Sequence, residues 1–107
     1  MSTPKQLNGE PFQAYTTHAT EAVASKAAAS GKVHYITDIS GSSDKAGALV
    51  LVKDGTTIIW AAIIAANTSY NHSFVNPLKG TSGNLVSVTV DGTAACKANI
   101  AGFTVRE

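Results

Sequence analysis

The stretch that decides the fold is Ala46–Ala66, AGALVLVKDGTTIIWAAIIAA, in which two apolar runs flank Asp54-Gly55. An Asp-Gly pair between hydrophobic arms indicates a β-hairpin, because both residues tolerate the positive φ of a tight turn. The second arm, Ile58–Ala66, is apolar at every position, whereas a strand with one face in water would alternate apolar and polar residues. We therefore expect this hairpin to be covered on both faces.

The chain that surrounds this hairpin is small. Its 107 residues, 44% hydrophobic and 14% charged, fit a single domain. A core of this size covers one face of the hairpin, so we expect another copy of the protein to cover the other. Trp60 is the expected anchor of that contact, since tryptophan concentrates binding energy at interfaces. The expected contact residues are Leu49, Leu51, Ile59, Trp60, Ile63 and Ile64.

Strand signals also occur on both sides of the hairpin. Val33–Ser40 and Leu85–Val90 alternate apolar and polar residues, and Ser69–Val75 is a shorter strand that Asn76-Pro77 is expected to close. Asp91-Gly92 indicates a second hairpin. Its expected partner strand is Ala94–Ile100, with a last strand at Phe103–Val105 after Ala101-Gly102, and Gly41–Lys45 is expected to be a loop.

The segment Ala19–Ser30, ATEAVASKAAAS, leaves two alternatives open. Its Ala, Glu and Lys residues favour a helix, and Thr20 is a possible N-cap. Its apolar residues are small and form no wide helical stripe, and the segments downstream are all strands, so a strand is the preferred interpretation. The count is then seven or eight short strands. We predict an all-β, single-domain antiparallel β-sandwich of the jelly-roll-like type.

The N-terminal segment differs in character from the rest. Residues 1–13 contain Pro4, Gly9 and Pro11 with few apolar anchors, which indicates an extended arm ahead of a sandwich domain spanning 14–107. The segment lacks the apolar core of a secretory signal, and no apolar run is long enough to cross a bilayer. We therefore expect assembly in a cytosol-like compartment and no membrane partner.

Charge and cysteine content narrow the possible functions further. The formal net charge is +1 and Lys and Arg form no cluster, so we expect no nucleic-acid partner. Cys96 is the single cysteine, which rules out an intrachain disulfide, and its alanine-rich surroundings indicate a buried thiol.

Few side chains suit catalysis. His18, His34 and His72 are the candidates for metal binding or base catalysis, yet none stands at a recognised ligand spacing. The sequence contains no G-x-S-x-G elbow, phosphate loop or paired-carboxylate motif. We therefore expect no catalytic residue, no metal site, no cofactor and no enzymatic activity.

Three further segments carry a resemblance to a known group of proteins. They are Lys32–Ser40 (KVHYITDIS), Phe74–Thr81 (FVNPLKGT) followed by Asn84-Leu85, and the closing Asn99–Phe103 (NIAGF). Together with the hairpin they resemble small β-sandwich proteins of tailed-bacteriophage particles. The resemblance implies a jelly-roll-like sandwich, expected to be a homotrimer, that decorates or cements a capsid.

On this resemblance the chain would be a non-enzymatic virion structural protein that contacts the major capsid protein at the capsid surface after synthesis in the host cytoplasm. The N-terminal segment resembles a capsid-contacting arm in position. Its candidate contacts are Pro4, Lys5, Leu7 and Phe12. The alternative is a receptor- or glycan-binding module of a tail or fibre, which predicts exposed aromatic residues in the loops Gly41–Lys45 and Leu78–Asn84. Those loops contain none.

Overall fold

A computed structural model of the protein describes residues 9–106, and every secondary-structure element in that part is a β-strand. The strands are β1 (Glu10–His18), β2 (Glu21–Lys26), β3 (Lys32–Ser43), β4 (Ala48–Asp54), β5 (Thr57–Ile64), β6 (Thr68–Lys79), β7 (Val86–Asp91) and β8 (Cys96–Arg106). The prediction of an all-β fold with seven or eight strands is confirmed. Among these residues no helix has the length and apolar character needed to span a membrane.

The eight strands form two four-stranded antiparallel sheets. The strand orders are β1-β8-β3-β6 in the first sheet and β2-β7-β4-β5 in the second. Of the consecutive strands described, β4 and β5 alone are neighbours in one sheet, and every other connection passes from one sheet to the other. This alternation is the strand order of a jelly roll, so the predicted jelly-roll-like sandwich is confirmed.

The central hairpin is present as predicted. Strands β4 and β5 are joined by Gly55-Thr56, and Gly55 has a φ of 63°, which a residue without a Cβ adopts without strain. Strand β5 carries one extra residue, Ile59, because Val52 pairs with Trp60 while Lys53 pairs with Ile58. β5 is also the last strand of its sheet, so one of its edges has no partner strand within the described chain.

The core lies between the sheets and is built from small and β-branched side chains. The predicted inward positions of β7, Val86, Val88 and Val90, are fully buried. The strand interpretation of Ala19–Ser30 is confirmed for Glu21–Lys26, where Ala22 and Ala24 are buried and their neighbours are exposed. Alternation thus overrides helix propensity in this segment, because the sheet buries one side of it.

Strand β3 is longer than expected and contains a bulge. It continues to Ser43, so the predicted loop at Gly41–Lys45 begins later than expected. Its register shifts at Thr37, and the predicted alternation is wrong beyond that point: Ile36 and Ile39 are both buried although they stand three residues apart. The Thr37 hydroxyl lies 3.2 Å from the Ala101 carbonyl oxygen and 2.9 Å from the Asp38 carboxylate, and its one proton can go to either acceptor, which holds the extra residue in place.

Strand β6 does not end at Asn76-Pro77 as predicted but runs to Lys79. Ser73 pairs with Asp38 and Leu78 pairs with Ile36, so the residues between Ser73 and Leu78 bulge out of the sheet. Proline is tolerated there because β6 is an edge strand and the bulge needs no ladder hydrogen bond from it.

Two predictions about the C-terminal third are wrong. Asp91-Gly92 does not form a hairpin, because β7 and β8 lie in opposite sheets and the chain crosses between them. Strand β8 also does not break at Ala101-Gly102 but continues to Arg106. A Cβ at Gly102 would overlap the Tyr35 carbonyl oxygen and lie 3.0 Å from the Phe12 ring, so glycine here permits close strand packing rather than a turn.

The expected arm overlaps the first strand. β1 begins at Glu10, inside the segment 1–13 that the sequence assigns to an arm, and its inward side chain Phe12 packs against the core. The Phe12 ring meets the His34 ring edge-on at 5.6 Å. Phe12 therefore belongs to the sandwich, and the domain starts earlier than residue 14. The other arm candidates, Pro4, Lys5 and Leu7, lie outside the described residues.

Candidate assembly surface

The side chains of the second sheet that point away from the core form an exposed apolar surface. Their positions follow from the pleat, since β4 buries Ala48, Val50 and Val52 and turns the residues between them outward. We call this surface the outer apolar face. Its members are Val23, Leu49, Leu51, Ile58, Ala61 and Ile63.

Strand pairing brings these residues together in rows. Leu49 lies directly opposite Ile63, and Leu51 lies opposite Ala61 on β5 and opposite Thr89 on β7. The side chains in these rows are exposed to different degrees, and the exposed fraction is 70% for Ile63, 43% for Leu49 and 42% for Val23. An apolar surface that spans several strands is the usual mark of a contact site.

Charged residues border the outer apolar face. Asp91 accepts a hydrogen bond from the Lys45 ammonium at 2.7 Å and another from the Leu49 amide at 2.6 Å. The Lys45 hydrogen bond in particular lowers the pKa of Asp91, against a smaller opposing effect of burial. Lys53 stands opposite Ser87 at the other end of the face. An apolar centre with a charged border is the arrangement of protein interfaces.

The structure divides the six predicted contact residues into two groups. Leu49, Leu51 and Ile63 belong to the outer apolar face. Ile64 is buried in the core, and Ile59 and Trp60 are half-buried against it. The extra residue Ile59 explains this division, because it shifts the alternation along β5 so that Trp60 and Ile64 face the core while Ile63 faces outward opposite Leu49. Sequence reasoning missed Val23 and Ile58, since Val23 joins the face only through the pairing of β2 with β7.

Trp60 closes the open side of the sandwich, where β5 and β6 are the edge strands of opposite sheets. Tyr70, His72 and Phe74 share one face of β6, and the Trp60 ring lies 6.0, 5.0 and 5.5 Å from them, centroid to centroid. His72 also meets Phe74 at 4.6 Å. These four rings form an aromatic wall between the sheets. Trp60 therefore has a packing role inside the domain.

Two further aspartates hold the loops at the ends of the sandwich. Asp44 accepts hydrogen bonds from the amides of Thr93 and Ala94 at 2.9 and 2.8 Å, and the Thr93 bond is the main reason that the pKa of Asp44 lies below its usual value. Asp54 accepts from the Thr81 hydroxyl at 2.6 Å. Burial raises the pKa of Asp54, but its hydrogen bonds from Thr81 and Asn84 outweigh burial and the net pKa is lowered.

The histidines serve the fold. His34 is buried, with Nε2 2.8 Å from the Ala27 carbonyl oxygen and Nδ1 2.7 Å from the Thr104 hydroxyl. Nε2 must donate to the carbonyl, because a carbonyl oxygen only accepts. His18 Nδ1 accepts from the Thr20 amide at 3.1 Å in the β1–β2 turn. Within residues 9–106, no three His, Cys, Asp or Glu side chains stand close enough together to hold a metal ion.

An open cleft of about 680 Å³ lies at one end of the sandwich, lined by loop and strand-end residues that include His18, Asp44 and Cys96. Three of its polar groups already have partners: His18 and Asp44 accept the backbone hydrogen bonds described above, and the Cys96 thiol donates to the His18 carbonyl oxygen at 3.3 Å. Burial raises the pKa of that thiol. The cleft therefore presents no activated nucleophile beside a general base.

Comparison with known proteins assigns this chain to no family. Neither a protein-family model nor a curated protein matches the sequence. Among solved structures, the chain is similar to a de novo designed double-stranded β-helix determined by NMR, with 11% identity, a TM-score of 0.35, and coverage of 85% of this chain and 97% of that one.

It is also similar to part of dimeric latent PorU from Porphyromonas gingivalis, with 11% identity and a TM-score of 0.37 over 89% of this chain. The chain spans only 10% of the length of PorU. Neither similarity supports a conclusion about function.

Proposed function

We propose that this chain is a non-enzymatic structural subunit that associates with copies of itself through the outer apolar face. The observation that carries the proposal is the cross-strand pair Leu49–Ile63, two large apolar side chains left exposed side by side on a regular sheet. A second copy would cover them and bring Leu51 and Ala61 into the same contact. The charged border of Lys45, Asp91 and Lys53 would then form the rim.

The aromatic wall and the aspartate-held loops support a structural rather than a catalytic role. They fix both the open side and the ends of the sandwich, so the outer apolar face is presented on a rigid sheet. A rigid surface loses little conformational entropy on binding, which favours association. His18, Asp44 and Cys96 at the end cleft likewise form hydrogen bonds within the fold.

Within this proposal, the specific role is that of a capsid decoration or cement protein of a tailed bacteriophage, assembled as a homotrimer on the major capsid protein. The support for this assignment is the sequence resemblance at Lys32–Ser40, Phe74–Thr81 and Asn99–Phe103 together with the jelly-roll order of the strands. A protein that binds only the closed lattice stabilises it by mass action, by about 3 kcal/mol at 100-fold above its Kd.

Thiol protection tests the self-association. The native Cys96 is buried, so a cysteine introduced by Ile63→Cys is the thiol available to a bulky reagent such as Ellman's reagent. It should react slowly at concentrations where the protein is assembled and quickly after dilution. Val75→Cys is the matched control, because Val75 is 95% exposed on β6 and lies away from the outer apolar face. Equal reaction rates of the two variants at all concentrations would contradict the proposal.

Imaging tests the virion assignment separately. Phage particles assembled with the protein should show extra density on the outer capsid surface that is missing from particles assembled without it. Particles that show no difference, or a difference confined to the tail, would refute the decoration role and leave the self-association to be judged on the thiol experiment.

A further inference from the structure

The outer face of the first sheet, formed by β1, β8, β3 and β6, has the opposite character to the outer apolar face. Strand pairing places Tyr15, Asn99, Ser40 and Asn71 in one row across its four strands. In the neighbouring row, Gln13 on β1 lies opposite Ala101 on β8. In these rows the face presents amides and hydroxyls where the other sheet presents aliphatic side chains, and the stacked rings of Tyr35 and Phe103 lie farther along it.

These rows form a shallow groove along β3. Two cavities of about 320 and 220 Å³ lie on this face, and both are lined by Ser40, Asn71 and Asn99. The floor is low because β3 contributes the small side chains Ser40 and Ser42, whereas the flanking strands contribute the longer amides. We call this the polar groove. The five residues from Asp38 to Ser42 span about 13 Å of strand, a length that accommodates two or three linked sugar rings.

The groups along the polar groove suit an uncharged, hydroxyl-rich ligand. Asparagine amides both donate and accept hydrogen bonds, as a sugar hydroxyl does, and serine hydroxyls do the same. Tyr15, which is 58% exposed and in register with Asn99, adds an aromatic ring that can pack on the C–H face of a pyranose. Asp38 closes one end, held by hydrogen bonds from the hydroxyls of Ser73 at 2.5 Å and Thr37 at 2.9 Å.

The charged and apolar side chains that line the polar groove do not suit a nucleic acid or a protein as its ligand. The lining carries one cation, Lys97, and one carboxylate, Asp38, so a polyanion such as a nucleic acid would gain few phosphate contacts. The floor offers no large apolar side chain to anchor a protein, apart from the buried Ile39 and Ile100 beneath it.

From this arrangement we propose that the polar groove binds a neutral oligosaccharide, with Asn71 and Asn99 as hydrogen-bonding groups and Tyr15 as the stacking platform. The proposal does not depend on self-association, because the groove and the outer apolar face lie on opposite sheets. Both surfaces can be occupied in one assembled particle.

The experiment uses a broad glycan array to select a ligand, followed by titration of the selected oligosaccharide into the full chain by isothermal calorimetry. We expect Asn99→Ala and Asn71→Ala each to weaken binding roughly fivefold or more, as loss of a neutral hydrogen bond does. Tyr15→Ala should weaken it about tenfold, and Tyr15→Phe should restore most of the affinity because the ring remains.

Ser25→Ala, on the exposed side of β2 in the other sheet, is the matched control and should bind as the wild type does. Thermal melts establish that each variant is folded. No saccharide bound at millimolar concentration would overturn the proposal. So would a saccharide whose affinity is unchanged in all three groove variants, since it would bind elsewhere.

Discussion

Ile63→Thr is the substitution that separates the contact surface from the fold. Threonine keeps the β-branched shape that a strand favours but loses two carbons and gains a hydroxyl. Each buried CH₂ contributes about 0.8 kcal/mol, and Ile63 is 70% exposed in the single copy, so covering those two carbons contributes about 1 kcal/mol. An unpartnered hydroxyl in the contact costs about 1–3 kcal/mol more.

The expected loss is therefore roughly 2–4 kcal/mol for each copy that buries the residue, which raises the dissociation constant about 30-fold or more. The free energy of unfolding of the isolated chain should change by about 0.5 kcal/mol or less, because the side chain is exposed there. The pair of numbers distinguishes an interface residue from a core residue.

Sedimentation velocity over a micromolar concentration series measures the association, and urea unfolding at low protein concentration measures the fold. Val75→Thr makes a comparable change at a more exposed position on the other sheet and should leave the association unchanged. If Ile63→Thr associates as the wild type does, or if Val75→Thr weakens association equally, the outer apolar face is not the contact.

Three further outcomes follow from the packing and the charges. Trp60→Ala should lower the free energy of unfolding by about 2–4 kcal/mol, because the half-buried ring holds β5 against β6; chemical denaturation checks this, and an unchanged midpoint would contradict it. Because the pKa values of Asp54 and Asp91 are lowered, their contribution to stability is present above the usual carboxyl pKa of 3.8 and is lost as the pH falls through the lowered values. Thermal melts should therefore show that the stability falls in acid. The fall should be shallower in Asp54→Asn, which lacks one of these carboxylates. Burial raises the pKa of Cys96, so its stabilising contribution is present at neutral pH and is lost in strong alkali; at pH 8 its thiol should react with Ellman's reagent only after unfolding, and rapid labelling of the native protein would refute this.

The hairpin could be predicted because its signals are local. Asp54-Gly55 between two apolar runs needs no knowledge of the rest of the chain. The direction of the side chains on β4 was also available, since Lys53 must face outward and alternation then turns Leu51 and Leu49 outward. The direction of the side chains on β5 was not available, because pairing counted from the turn would place Trp60 opposite Leu51 on the outer face. The extra residue Ile59 shifts this alternation, turns Trp60 inward and brings Ile63 opposite Leu49.

The same dipeptide at Asp91-Gly92 misled because turn propensity does not determine which strand lies next to which. Asp91 uses its carboxylate to hold Lys45 and the Leu49 amide, while the chain passes to the opposite sheet. The bulge at Thr37 has a similar origin. Its effect on register depends on Ala101, which is remote in sequence, and no local pattern reveals that pairing.

The polar groove could not be predicted from the sequence. Its row of Tyr15, Ser40, Asn71 and Asn99 draws one residue from each of four strands, and only the sheet order brings them together. The sequence directed attention to loops as the place for sugar-binding aromatic residues, whereas Tyr15 lies on the sheet itself. Phe12 was misassigned to an arm for a related reason, because its partner His34 lies on β3 and not beside it in the sequence.

The central claim is that copies of the chain associate and cover the outer apolar face. Sedimentation equilibrium of the unmodified chain tests this claim most directly. The account predicts a mass that rises with concentration from that of one 11.0 kDa chain toward that of three. A mass that stays at a single chain throughout the micromolar range would contradict it.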